Sequence, residues 1–253
     1  MAEPLLEARD LVKHYGGVEA LRGASFSAYA GEVVSLIGDN GAGKSTLVKC
    51  LSGAERPDGG TIAFDGRPIT LPTPTAARGL GIETVYQDLA VAPDLDPAAN
   101  LYLGRELRRP GLLGRLGVLD KKEMRRRAVE SFQELGVALQ SVDVPIGALS
   151  GGQRQSVAVA RSVVWAGRLV FMDEPTAALG VVQRERVLEV VKRVRDRGLA
   201  VVLISHNMPE VLAVSDRVEV LRLGRRVARF TAAETTVEEL VGAMTGALSQ
   251  EEA

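Results

Sequence analysis

The strongest constraint on this chain is a nine-residue loop and what flanks it. "GDNGAGKST", Gly38 to Thr46, fits the pattern G-x-x-x-x-G-K-[ST] through Gly38, Gly43, Lys44 and Ser45. The apolar run "GEVVSLIG" leads into it, and the helical pattern "KSTLVKCLSG" leaves it and stops at Gly53. Glycines let the backbone curl so that successive N–H groups point inward as an anion nest. A helix starting near Gly43 aims its positive dipole end at the same point. Lys44 adds a point charge for the outer phosphates, and the Ser45 hydroxyl is an oxygen ligand suited to Mg²⁺. A glycine-rich turn that binds nothing is the competing reading. The strand before the loop and the helix after it weigh against that.

Two further runs, "RLVFMDE" and "LAVVLIS" (Leu199 to Ser205), resemble the one before the loop. Short continuous runs of Val, Leu and Ile suit strands buried on both faces of a parallel sheet. "QRERVLEVVKRVRDRG" lies before the last of them. It places Val187, Val190, Val191 and Val194 on one helix face, with Gly198 as the C-terminal stop. Strands alternating with helices predict an α/β fold. The first stretch differs: "LLEARDLVKHYGG", "ALRGASFSAYAGE" and "GTIAFDGRPI" are broken by glycine and read as antiparallel strands and hairpins. From about Asp88 to Ser162 the pattern turns helical and more charged. Its charge run, Asp120 to Arg127, reads as a solvated helix face. The expectation is one domain over residues 1–253: an α/β core, a small antiparallel β subdomain, and a helical subdomain at about 88–162.

"LVFMDEPTAALG" ends a buried strand in two adjacent carboxylates. A strand of the same sheet ending in Asp173 brings a carboxylate beside the phosphate loop, where it can hold Mg²⁺ through a water. Glu174 follows at the carboxyl edge of the sheet, where open α/β folds bind ligands. There it is placed to polarise a water for in-line attack on a γ-phosphate. A polar strand end before Pro175 is the plain alternative.

"LSGGQRQSVAVARSV" carries a second helix start. Ser150 followed by Gln153 is a capping-box pattern. Gly151 and Gly152 are expected to leave this helix end uncovered, so that another phosphate can approach. Two anion-binding helix ends in one chain point to two chains sharing each nucleotide.

Composition closes off several classes. The chain has 253 residues and a net charge of -1, which gives no basic field for nucleic acid or anionic lipid. Its single cysteine, Cys50, excludes an internal disulfide and fits a reducing compartment. The start "MAEPLLEARDLVKHYGG" shows no secretory signal, and no apolar run approaches the ~20 residues of a membrane span. Cys50 and Trp165 read as packing residues, and His14 as exposed and idle.

These motifs, in this order from Pro4 to Phe230, resemble the ATP-binding cassette (ABC) family, whose signature Leu149–Gln153 matches. The resemblance implies a P-loop NTPase core, ATP hydrolysis and Mg²⁺. It implies nucleotide contacts from Gly38, Asn40, Gly41, Ala42, Gly43, Lys44, Ser45 and Thr46, with Tyr15 stacking on adenine. Ser150, Gly151, Gly152 and Gln153 would contact the nucleotide from the other chain of a head-to-tail homodimer formed on ATP binding. Gln87 in "VYQDL" resembles the glutamine that senses Mg²⁺ and the membrane partner. The metal would be held by Ser45, Gln87 and Asp173. Glu174 and His206, in "LISHNMPEV", match the catalytic pair.

Within the family the chain resembles ATPases of bacterial sugar importers of the ribose, xylose and fructose class, in single-cassette form. That implies integral-membrane permease subunits and, indirectly, a periplasmic or extracellular sugar-binding protein. A permease helix is expected near Gln87 to Gly104, with this chain peripheral on the cytoplasmic face of the membrane. The sugar itself is not encoded in an ATPase chain. The alternative is a soluble non-transport cassette acting on ribosomes or nucleic acid. One departure stands out. Where the family usually has S-A-L-D, this chain has Ala177, Ala178, Leu179 and Gly180, losing a carboxylate and gaining a looser backbone.

Overall fold

Two patterns of strand pairing divide the chain, and each follows from the faces its residues can bury. The computed structural model describes residues 3–85, 91–137, 139, 141–177 and 179–248. In chain order they form β1 (Leu6–Tyr15), β2 (Val18–Ala28), β3 (Val33–Ile37), α1 (Lys44–Leu51), β4 (Gly59–Phe64), β5 (Arg67–Ile69), α2 (Pro74–Gly79) and β6 (Ile82–Val85). Then follow α3 (Pro97–Tyr102), α4 (Leu112–Arg115), α5 (Lys121–Glu134), α6 (Gly151–Trp165), β7 (Leu169–Asp173), α7 (Val181–Asp196) and β8 (Ala200–Ile204). The last elements are α8 (Met208–Val214), β9 (Arg217–Arg222), β10 (Arg225–Thr231) and α9 (Val237–Thr245).

The larger sheet has the order β10-β9-β3-β8-β7-β6, and all its pairings are parallel except β9 with β10. Its inner strands show why their sequences run apolar without alternation. Val34, Leu36, Phe171, Val202 and Ile204 face a core shared with α1 and the antiparallel strands. Val33, Val170, Met172, Val201 and Leu203, on the opposite face, meet a second core. Successive side chains point to opposite faces, and here both faces are covered.

α7 supplies Val187, Val190, Val191 and Val194 to the second core, all of them buried. Each such side chain contributes about 1.5–3 kcal/mol when removed from water, so Val191→Asp would strip α7 from the sheet. The helix stops at Gly198, at φ 86°, just past its C-cap Arg197. In two strands of this sheet a carboxylate interrupts the apolar run. β6 contains Glu83, held by Arg105 and Arg78. β9 contains the fully buried Glu219, met by Arg217 and Arg229. Paired charges inside a strand hide it from a hydropathy reading.

The smaller sheet, β2-β1-β4-β5, is antiparallel throughout, as the glycine-broken segments predict. His14 is not idle. Its backbone N–H donates to Asp58 Oδ2 at 2.6 Å, and its ring lies 3.3 Å from the same oxygen, joining β1 to the turn before β4. Cys50 is fully buried under the first core. Trp165 packs edge-on to Tyr102 and donates through Nε1 to Leu101 O at 2.8 Å. In α5, Glu123 pairs with Arg126 and Arg127 at the surface while Met124, Ala128 and Phe132 face inward.

Candidate functional site

Register across the larger sheet builds the site. Leu36 of β3 stands opposite Ile204 of β8, and Ile204 opposite Asp173 of β7. Three adjacent strands therefore end at one level. Beyond that level the chain enters the Gly38 loop, His206 and Glu174 in turn.

The loop is shaped by its glycines. Gly38 has φ 153°, and a Cβ there would lie 2.2 Å from the Leu221 carbonyl oxygen. β9 therefore approaches too closely for any side chain. Gly43 is the left-handed N-cap of α1 and provides no side-chain cap, so the first amides of that helix keep no side-chain partner. Asn40, Gly41 and Ser45 are exposed, Thr46 is half-buried, and Ala42 is buried with its carbonyl accepting from Gly224 N at 2.9 Å. The Lys44 ammonium folds back over the loop and donates to Gly38 O at 2.6 Å and Asp39 O at 3.0 Å.

Charge gathers at this edge. Burial lowers the Lys44 pKa, while Glu174, Asp173 and Asp39 oppose the shift. Burial pushes the Asp173 carboxyl up, and the neighbouring Glu174 adds to it, while Lys44 and Lys49 pull it down. A second cation beside Asp173 would relieve what remains. Ser45 and Asp173 are hard oxygen donors, and among the described residues no cluster of three or more His, Cys, Asp or Glu could hold a metal alone. That set fits Mg²⁺, which keeps waters and phosphate oxygens around one or two protein ligands.

Glu174 is set in an unusual backbone. It adopts φ 49°, in the left-handed region, and its N–H donates to Ile204 O at 2.9 Å. Such a conformation costs about 1–3 kcal/mol in a non-glycine residue and persists where surroundings enforce it. It turns the carboxylate toward His206, whose Nδ1 lies 3.2 Å from Glu174 Oε1. The His206 ring is otherwise open to solvent.

The structure thus brings together the loop, Asp173, Glu174 and His206. Tyr15 is half exposed at the tip of the β1–β2 hairpin, with Lys13 over its ring at 5.6 Å. Ser150–Gln153 lie elsewhere, at the start of α6, which packs on α7, β6 and α3. The capping box forms as its pattern predicts, with Gln153 N donating to Ser150 Oγ and Ser150 N to Gln153 Oε1. Gly151 is open, with nothing within 4 Å of a Cβ position. Gly152 is not: a Cβ there would meet Gln183 Cγ at 2.3 Å, so this glycine serves close packing of α6 on α7. Gln87 lies outside the described residues.

Gly180 is the N-cap of α7 at φ -70° and ψ 164°, an extended conformation open to any residue, so the turn does not itself require a glycine. Glu210 escaped the sequence reading. It is buried, hydrogen-bonded to Thr176 and Asn207 and ion-paired with Arg184. The available signal was "NMPE", a helix start with Asn207 as N-cap and Pro209 and Glu210 in the first turn.

Comparison with known proteins supplies the family. The family described as "ABC transporter" matches residues 21–177. The fructose import ATP-binding protein FrcA of Rhizobium meliloti is 51% identical, over 97% of this chain and 95% of its own length. The xylose/arabinose import ATP-binding protein XylG of Sulfolobus acidocaldarius is 44% identical, over 95% and 94%. Among solved structures, a nucleotide-free ATP-binding cassette from an ABC transporter superposes with a TM-score of 0.81 at 26% identity, covering 96% of each chain. The chain belongs to the ABC transporter family, as one of its ATP-hydrolysing cassettes.

Proposed function

We propose that this chain is the ATPase subunit that energises import of a monosaccharide of the fructose, xylose or ribose kind. The observation that carries the reading is the end-to-end similarity to FrcA, at 51% identity over 97% of the chain. The alternative, a non-transport cassette working on ribosomes or nucleic acid, finds no support in relatives that are named for import.

The residues divide the work as follows. On ATP entry Lys44 exchanges the Gly38 and Asp39 carbonyls for the β- and γ-phosphates. The free amides at the start of α1 and the loop N–H groups bind the phosphate oxygens. Ser45 and Asp173, with Gln87, would hold Mg²⁺, which supplies positive charge at the phosphates. Glu174 orients the attacking water and draws off its proton, held in its strained setting by Ile204. His206 steadies Glu174 from one side and reaches the γ-phosphate from the other. Tyr15 stacks on the adenine. Gly151 and the rest of the Ser150–Gln153 end complete the site from a second chain, so ATP binding closes a homodimer.

The whole chain, residues 1–253, acts as one nucleotide-binding domain with a helical part at about 88–162. Closure pulls on two permease subunits, and a binding protein delivers sugar to them from outside. A groove lined by Glu83, Arg105, Arg161 and Trp165 also takes in Leu103 and Gly104, at the end of the stretch where a permease helix would dock. No helix among the described residues is long and apolar enough to cross a membrane. In this reading the chain sits at the cytoplasmic face, held by those partners. The test uses vesicles carrying the permease and this chain. Glu174→Gln should lower ATP-driven sugar uptake by a factor of about 10²–10⁴, and uptake at the wild-type rate would sink the mechanism.

A further inference from the structure

A buried carboxylate outside the reactive edge binds both segments that form it. Glu210, in the first turn of α8, is 6% exposed. Its Oε2 accepts from Thr176 Oγ1 at 2.6 Å, and its Oε1 accepts from Asn207 Nδ2 at 2.9 Å. Arg184 Nε of α7 lies 2.9 Å from the same Oε1. That is an ion-pair contact whose N–H is not aimed at the oxygen, because Arg184 Nε has no hydrogen-bond partner. A carboxylate this deep is costly unless its lone pairs and charge are met, and here both are.

The position of the partners gives the arrangement its meaning. Thr176 is two residues past Glu174, and Asn207 is next to His206. Glu174 and His206 already touch at 3.2 Å. The segments leaving β7 and β8 are therefore tied twice, once at the reactive end and once behind it at Glu210. A reach of one hydrogen bond at each tie fixes the spacing between them. Arg184 extends the tie, because its Nη2 donates to Leu179 O at 3.2 Å, immediately before Gly180. Gly180 has no side chain to hold that turn, and the Glu210–Arg184 pair holds it from beneath.

We infer that Glu210 is a positioning residue for ATP hydrolysis: it locks the Thr176–Gly180 segment to the His206 segment and so sets the Glu174–His206 contact. The inference rests on reading those two residues as the hydrolytic pair. It touches no nucleotide, so its loss should appear in kcat and not in ATP affinity.

The experiment has two arms on the full chain. The sequence holds two histidines, His14 and His206, so imidazole NMR separates them, with a His14→Gln variant for assignment. Glu210→Gln and Thr176→Val should both move the His206 ring signals and leave those of His14 in place. Thr176→Val keeps side-chain volume and guards against a Glu210 variant that fails to fold. In steady-state hydrolysis each variant should lower kcat by roughly tenfold to a hundredfold, with KM for ATP within about twofold. The double variant should lose little more than the worse single one, because both break the same tie. Unmoved His206 signals in both variants would overturn the inference, as would a wild-type kcat. A wild-type chain with no hydrolysis at all would count against the proposed function instead, and the NMR arm would still decide for or against Glu210.

Discussion

The starts of α1 and α6 are both built around glycine, yet they are opposite in kind. α1 begins at Gly43, in a left-handed conformation and without a side-chain cap. α6 begins at Ser150 with a complete capping box. Four amides at a helix start need partners from outside the helix. α6 satisfies part of that need from its own side chains and stands as a finished element. α1 leaves its amides beside a lysine and two carboxylates that gain from a charged ligand. The difference teaches where ligand binding is obligatory and where it is additional. The open end is a phosphate site in its own right, whereas the capped end offers only what Gly151 leaves exposed.

The largest effect should come from closing the open end. Gly38→Ala forces a Cβ against the Leu221 carbonyl at a positive φ. ATP binding by calorimetry should disappear, and thermal unfolding should show a loss of about 1–3 kcal/mol or more. Retained nucleotide affinity would mean the loop is not the phosphate site. Ser150→Ala attacks the other end and should behave differently. It removes a cap and should cost about 1 kcal/mol of stability by denaturant unfolding. ATP affinity of a single chain should be untouched. If it fell as far as in Gly38→Ala, the two ends would not be distinct.

The smallest stability effect belongs to a third helix start. Gly180→Asp gives α7 the side-chain cap it lacks, with only the flexible end of Gln183 to displace. Stability should rise by a few tenths of a kcal/mol. The cooperativity of ATP hydrolysis should change more than ATP affinity. A change in affinity alone would place Gly180 away from the contact between chains.

Legibility in the sequence followed the same physics. The phosphate loop could be read from its glycines, Lys44 and Ser45, β7 and β8 from their unbroken apolar runs, and α7 from the helical period of Val187 to Val194. Asp173 and Glu174 were legible as carboxylates following an apolar strand. β6 and β9 were not, because Glu83 and Glu219 interrupt them, and only the folded chain brings Arg105 to Glu83 and Arg217 and Arg229 to Glu219. Glu210 was hidden for the same reason: its meaning lies in Thr176 and Arg184, more than twenty residues away. Gly152 carries a demand its motif does not show, because the space where a Cβ would stand is taken by Gln183 of α7. Local motifs announce themselves, and long-range charge pairs and close packing do not.

The central claim is that the open end of one chain and the capped end of another make one hydrolytic site. Gly151→Asp tests it most directly, because it adds a carboxylate in open space where nothing lies within 4 Å. Alone it should bind ATP through its intact loop yet fail to hydrolyse it. Lys44→Ala alone should also fail. Mixed one to one, the two variants should regain hydrolysis, since a pair of unlike chains holds one intact open end facing one intact capped end. Wild-type hydrolysis by Gly151→Asp alone, or no recovery on mixing, would contradict the account.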